Sequence, residues 1–147
     1  MSPEEDSVVT ILLIEDNPAD VLLTQEALRR TALPHNVIAV SDGAQALKSL
    51  KDGPLAQPGA RPHLILLDWN LPGVHGREVL GALKADALLR RIPVVVLTTS
   101  ASPVDVKEAY DLHANCFCAK PVRLDDFVSV VSAIEHFWFE IAEIPGE

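Results

Sequence analysis

Residues 11–16 read ILLIED, and this stretch decides the fold. Four consecutive aliphatic residues show no polar alternation, so both faces of the segment are turned away from water. A strand of that kind belongs inside a parallel sheet covered on each side. Two carboxylates, Glu15 and Asp16, follow at once. The pattern returns further along the chain: LILLD at 64–68, VVVLT at 94–98 and CFCAK at 116–120. Each apolar run stops on a polar side chain, in turn Asp68, Thr98 and Lys120.

Between these runs lie segments of helical period. Strands are expected over Val8–Ile14, Asn36–Val40, Leu64–Leu67, Val94–Leu97 and Asn115–Ala119, with helices opening near Pro18, Gly43, Gly76, Pro103 and Leu124. Pro18 and Pro103 suit a first helical turn, where no amide hydrogen is missed. Asp42-Gly43 turns the chain into the second helix. Five β-α repeats imply an α/β fold, a doubly wound five-stranded parallel sheet with helices on both faces, joined by right-handed crossovers. The stretch Asp52–Pro62 (DGPLAQPGARP) reads as a long loop, and residues 1–7 as a flexible tail.

Composition excludes several classes. The 147 residues form one domain, and 48% are apolar, yet no run approaches the roughly 18 needed to cross a bilayer. The acidic start MSPEEDS is no secretory signal, which makes the cytoplasm the expected location and a membrane partner unexpected. A net charge of −9 with scattered Lys and Arg argues against a nucleic-acid surface. Cys116 and Cys118 sit two apart on a strand and read as small core residues in a reducing compartment. The five histidines are isolated and lack zinc spacing.

The last helix carries more apolar surface than one domain face absorbs. Leu124, Phe127, Val128, Val131, Ile134, Trp138 and Ile141 form one stripe, which Val130, Ala133 and Phe137 widen. A surface helix needs a stripe of only about 100°. The excess at Phe137 and Trp138 marks residues 137–147 as an extension that meets a second chain. The alternative is that this extension folds back on its own domain.

In open parallel sheets, ligands bind beyond the carboxyl ends of the strands where strand order reverses. Glu15, Asp16 and Asp68 gather there, and like charges that close are relieved most cheaply by a cation. Carboxylates with a backbone carbonyl make an oxygen-only site that suits Mg²⁺. Thr98 adds a hydroxyl and Lys120 an ammonium for an anionic group. The set fits phosphoryl transfer with Asp68 as nucleophile. Taken singly, each residue has a plainer reading, as a helix cap, a strand residue or a surface charge; their arrival at successive strand ends is what joins them.

The pieces IEDN (14–17), LLDWNLPGVHG (66–76), IPVVVLTTS (92–100) and CAKP (118–121) resemble the receiver domain of two-component response regulators, over residues 8–136. The resemblance implies strand order 2-1-3-4-5. It implies that Asp68 accepts phosphate from a kinase histidine, that Asp16 with Glu15 holds Mg²⁺, and that the Asn70 carbonyl is a further metal ligand. It makes Lys120 the lysine that holds the phosphoryl group, with a cis bond to Pro121. Thr98 becomes the hydroxyl that moves toward phosphate, and Phe117 the aromatic that swings in behind it. DNPADVLLTQEAL (16–28), DWNLPGVHGREVL (68–80) and IEHFW (134–138) are also similar to stand-alone regulators that serve phytochrome-type histidine kinases, a group that forms homodimers through a C-terminal extension. The long loop at 52–62 and His75, where an acidic residue is common, depart from the pattern.

The function expected on these grounds is a phosphoacceptor switch, not an enzyme acting on other substrates. Its expected partner is a sensor histidine kinase, and the phytochrome-type resemblance points to a bacteriophytochrome. A phosphorelay intermediate or phosphate sink is the alternative. An aspartyl-phosphate phosphatase of the same chemistry would place an acid two residues after the nucleophile; Asn70 stands there and has no acidic proton to give. A flavin or nucleotide module would need a Gly/Ser/Thr-rich cradle after the first strand, where this chain has EDNPAD.

Overall fold

The structure is a computed structural model that describes residues 8–31, 34–99 and 102–145. The expected tail at 1–7 lies outside them. Strands β1 (Val9–Ile14), β2 (His35–Val40), β3 (Leu64–Leu67), β4 (Val94–Thr98) and β5 (Cys116–Ala119) alternate with helices α1 (Pro18–Arg29), α2 (Gly43–Lys51), α3 (Gly76–Ala85), α4 (Pro103–Asp111) and α5 (Leu124–Glu135). All neighbouring strands pair in parallel, in the order β2-β1-β3-β4-β5. Strand limits differ from the sequence expectation by one residue at an end, as fraying termini do.

The aliphatic runs explain the two-sided core. Leu12, Ile14, Ile65, Leu67, Val94 and Val96 face Ala46, Leu50, Val79, Leu80, Leu83 and Ala109 of α2, α3 and α4. Their strand neighbours Ile11, Leu13, Leu64, Leu66, Val95 and Leu97 face Ala27 and Leu28 of α1 and Phe127, Val131 and Ile134 of α5. Each such aliphatic side chain stabilises the fold by about 1.5–3 kcal/mol when fully buried. The two outer strands are different. β2 and β5 have a ladder partner on one side only, and no residue of either is fully buried.

The helix starts are chemically marked. Asn17 caps α1 by accepting from the Ala19 and Asp20 amides at 2.9 and 3.3 Å. His75 caps α3, its Nδ1 accepting from the Arg77 amide at 3.0 Å, while Glu78 reaches back to the His75 amide. The loop at 52–62 is not wholly irregular: Pro54–Ala56 form a 3₁₀ turn that buries Leu55. The apolar Leu in the middle of a Pro/Gly-rich stretch anchors it.

The last helix changes pitch. After Glu135 it continues as a π-helical turn, His136–Ile141. Trp138 and Phe139 are half-buried against the cluster under α1 and α5. Further on, Ile144 and Pro145 help line a cavity of about 310 Å³ with Pro58, Pro62, Leu88 and Ile92. Part of the extension therefore folds back on its own domain. Phe137 and Ile141 stay exposed.

Candidate functional site

β1 and β3 are neighbours with Ile14 opposite Leu67. The residues that follow them consequently leave the sheet side by side, and the Asp68 amide donates to the Ile14 carbonyl at 3.0 Å. Glu15, Asp16 and Asp68 each offer a carboxylate oxygen, and these oxygens lie within 4.8 Å of one another. Glu15 and Asp68 are buried. Three hard oxygen donors that close, two of them out of water, fit a divalent cation that keeps part of its hydration shell.

The loop after β3 can return to this point only because of Gly76. A Cβ there would stand 2.7 Å from the Asp68 carbonyl oxygen and 2.7 Å from the Trp69 Cα. The Gly76 amide closes the loop by donating to the Trp69 carbonyl at 3.1 Å. Within it, the Asn70 amide points to Asp68 Oδ1 at 3.4 Å, and Asn70 Nδ2 donates to Thr98 Oγ1 at 3.2 Å. Thr98 is fully buried. It joins the β4 end to the β3 loop through that bond.

Lys120 enters from the end of β5. Its ammonium pairs with Glu15 and, at 3.0 Å, with Asp20 Oδ2, and the side chain is 5% exposed. Asp68 reaches it as a charge and not as a hydrogen-bond partner. Burial raises the Glu15 pKa, and the Asp68 charge adds to that against the opposing bond from Lys120. Burial would lower Lys120, but Glu15, Asp20 and Asp68 outweigh it and raise it, so the ammonium stays charged. Asp20 was not among the residues expected here. Its signal was present: it is an acid in the first turn of the helix that opens just past Glu15, where the chain end of the helix favours it.

Phe117 is half-buried, its ring edge-on to Trp69 at 6.3 Å, and its amide bonds the Tyr110 hydroxyl at 3.2 Å. The peptide bond from Lys120 to Pro121 is trans, correcting the cis bond that the resemblance implied. Trans is the lower-energy form by about 0.5–1 kcal/mol. Phe137 and Trp138, expected together at an interface, touch edge to face with ring centroids 5.1 Å apart but differ in exposure: the first is exposed, and the second packs on its own domain.

A parallel sheet in the order 2-1-3-4-5 with an acidic triad and a lysine at its carboxyl edge defines a class. The chain matches the response regulator receiver domain over residues 11–132 and belongs to that family. Among its relatives is the response regulator Rcp1 of Synechocystis, 44% identical over 146 residues, covering 99% of each chain. The probable methanogenesis regulatory protein FilR2 of Methanothrix harundinacea is 39% identical over 97% of this chain and 92% of that protein. The solved structure of the phosphorylated cyanobacterial phytochrome response regulator RcpA superposes with a TM-score of 0.87 at 47% identity, covering 94% of this chain and 99% of that one. The Mn²⁺-bound form of Rcp1 superposes with a TM-score of 0.84 at 44% identity, with the same coverage. The chain is thus a receiver similar over nearly all its length to phytochrome response regulators. Its cofactor is Mg²⁺, bound in the acidic pocket. Its partner class is the sensor histidine kinase. Among the described residues no helix is long and apolar enough to cross a membrane.

Proposed function

We propose that this protein accepts a phosphoryl group on Asp68 from a sensor histidine kinase of the phytochrome type, and that the acyl phosphate changes which partner it binds. The observation that carries this reading is the meeting of Glu15, Asp16 and Asp68 within 4.8 Å, with a buried lysine beside them.

In this reading a carboxylate oxygen of Asp68 attacks phosphorus, and the bond to the kinase imidazole breaks. Glu15, Asp16, Asp68 and the Asn70 carbonyl would hold Mg²⁺, which would supply positive charge for the oxygens of the transferring group. Lys120 exchanges Asp20 for a phosphoryl oxygen; its ion pair to Glu15 keeps it within the hollow. Thr98 gives up the bond from Asn70 and turns its hydroxyl to the phosphate. The space so vacated admits the Phe117 ring, which already rests against Trp69. The face built by α4, β5 and α5 changes with it. For the change to be nearly complete, phosphate must favour one arrangement by about 5 kcal/mol.

Exposed Phe137 supports self-association through the end of the last helix. The signal then leaves by contact with another protein.

Asp68→Asn tests the acceptor. Wild type should take up phosphate from acetyl phosphate only with Mg²⁺ present, and the variant should take up none. Equal labelling of the variant would move the acceptor elsewhere.

A further inference from the structure

Cys116 and Cys118 are the two cysteines of the chain. Neither belongs to the acidic hollow. β5 turns both side chains to the same side, and their sulfur atoms lie 3.5 Å apart. Both are half-buried at the margin of the cluster that contains Phe127 and Val131, on the opposite face of the strand from Phe117. Because β5 is an outer strand of four residues, a local bend disturbs one ladder only.

The two sulfurs are not equivalent. The hydrogen bond from Cys118, helped by the Phe117 amide, lowers the Cys116 thiol below its ordinary value, although burial opposes this. Cys118 is raised, because its proton is held in that bond and because it is buried. Two thiols 3.5 Å apart put a nucleophile and a resolving thiol within reach of each other, the arrangement of a reversible thiol sensor.

We infer that Cys116 and Cys118 form a redox-active dithiol, a modification site that a peroxide closes to an intrastrand disulfide. The Cys116 thiolate attacks one peroxide oxygen, the O–O bond breaks, and hydroxide leaves a sulfenic acid on Cys116. Cys118 then attacks that sulfur and gives up its proton, the S–O bond breaks, and water departs as the S–S bond forms. Two electrons pass from the sulfur pair to the peroxide. A disulfide is about 2.05 Å long, so the sulfurs must close by about 1.5 Å. Residues two apart on a regular strand have Cα and Cβ atoms about 6.6 Å apart, whereas a disulfide takes Cβ atoms about 3.5–4.5 Å apart, so β5 must buckle to close the bond. The bond is therefore strained and readily reduced, which suits a switch and not a permanent staple.

Hydrogen peroxide on the full-length chain, followed by alkylation and intact-mass measurement, tests this. The expected product is a single chain that has lost both free thiols and the mass of two hydrogens, and that dithiothreitol restores. Cys118→Ser should stop at a dimedone-reactive sulfenic acid on Cys116. Cys116→Ser should react roughly tenfold more slowly, as expected when the thiolate fraction falls. Any of three results would overturn the inference: both wild-type thiols still alkylated at the peroxide dose that oxidises Cys118→Ser, disulfide-linked dimers in place of the lighter monomer, or Cys116→Ser reacting as fast as wild type.

Discussion

Glu15 and Glu135 are two buried glutamates, 2% and 4% exposed, at opposite ends of the sheet. Burial raises the pKa of each. Their surroundings then differ. Glu15 meets the Lys120 ammonium, accepts from the Asn17 amide at 3.2 Å, and faces two further carboxylates. Glu135, at the end of α5, has His35 Nδ1 at 3.9 Å and a bond from Thr31, while its Oε1 accepts no hydrogen bond. Charge is gathered and answered at the first place, and merely tolerated at the second. The comparison teaches that burial of a carboxylate is not by itself a mark of function. The mark is a surplus of like charge held together with a cationic partner.

The comparison can be broken most forcefully at Lys120. Lys120→Met leaves Glu15 buried without its partner and should lower unfolding free energy by about 3–5 kcal/mol in Mg²⁺-free urea denaturation. Added Mg²⁺ should recover part of the loss. A variant as stable as wild type would mean that the lysine does not compensate that charge.

Gly76→Ala attacks the same hollow through the backbone. The new methyl group meets Asp68 and Trp69 main-chain atoms, which cannot rotate aside. A loss of about 1–3 kcal/mol is expected, with weaker Mg²⁺ binding as Asp68 is displaced. Unchanged Mg²⁺ affinity, read by tryptophan fluorescence titration, would contradict the placement of that loop.

At the other glutamate, removing the charge is expected to stabilise the fold. Folded Glu135 holds its proton to higher pH than the unfolded chain does. Wild-type stability should therefore fall as pH rises from the ordinary value of 4.5 through the raised folded one. Glu135→Gln removes that dependence and should gain about 1 kcal/mol at neutral pH, with no gain at low pH. A pH-independent difference between the two proteins would show that charge is not the cause. The smallest effect on folding belongs to Phe137→Glu, within about 0.5 kcal/mol, since the side chain is half exposed. Its effect is expected in sedimentation, where wild type should be dimeric and the variant monomeric. Trp138 is the poorer probe, because its ring packs on its own domain and a charge there would disturb folding as well.

Much of this was legible from residue order. Unbroken aliphatic runs imply strands covered on both faces, and the polar residue after each run has nowhere to go but the carboxyl edge. That pattern by itself puts Glu15, Asp16, Asp68, Thr98 and Lys120 at one edge. The outer strands were less legible: β2 and β5 read like the others, yet exposure at a sheet edge depends on strand order, which no single segment contains. The end of the last helix was read as one continuous stripe. Within the π turn at His136–Ile141, Trp138 packs on the domain while its ring neighbour Phe137 stays exposed.

The sequence alone determined the class of fold and the chemical kinds of groups at its functional edge, because hydrophobic period and the residues that interrupt it are local properties. Only tertiary structure decided the pairings: Lys120 with Asp20 and Glu15 across 100 and 105 residues, Glu135 with His35, and two sulfurs close enough to share a proton. Electrostatic and hydrogen-bonded partners are set by distances of a few ångströms, and those distances arise only when remote segments pack.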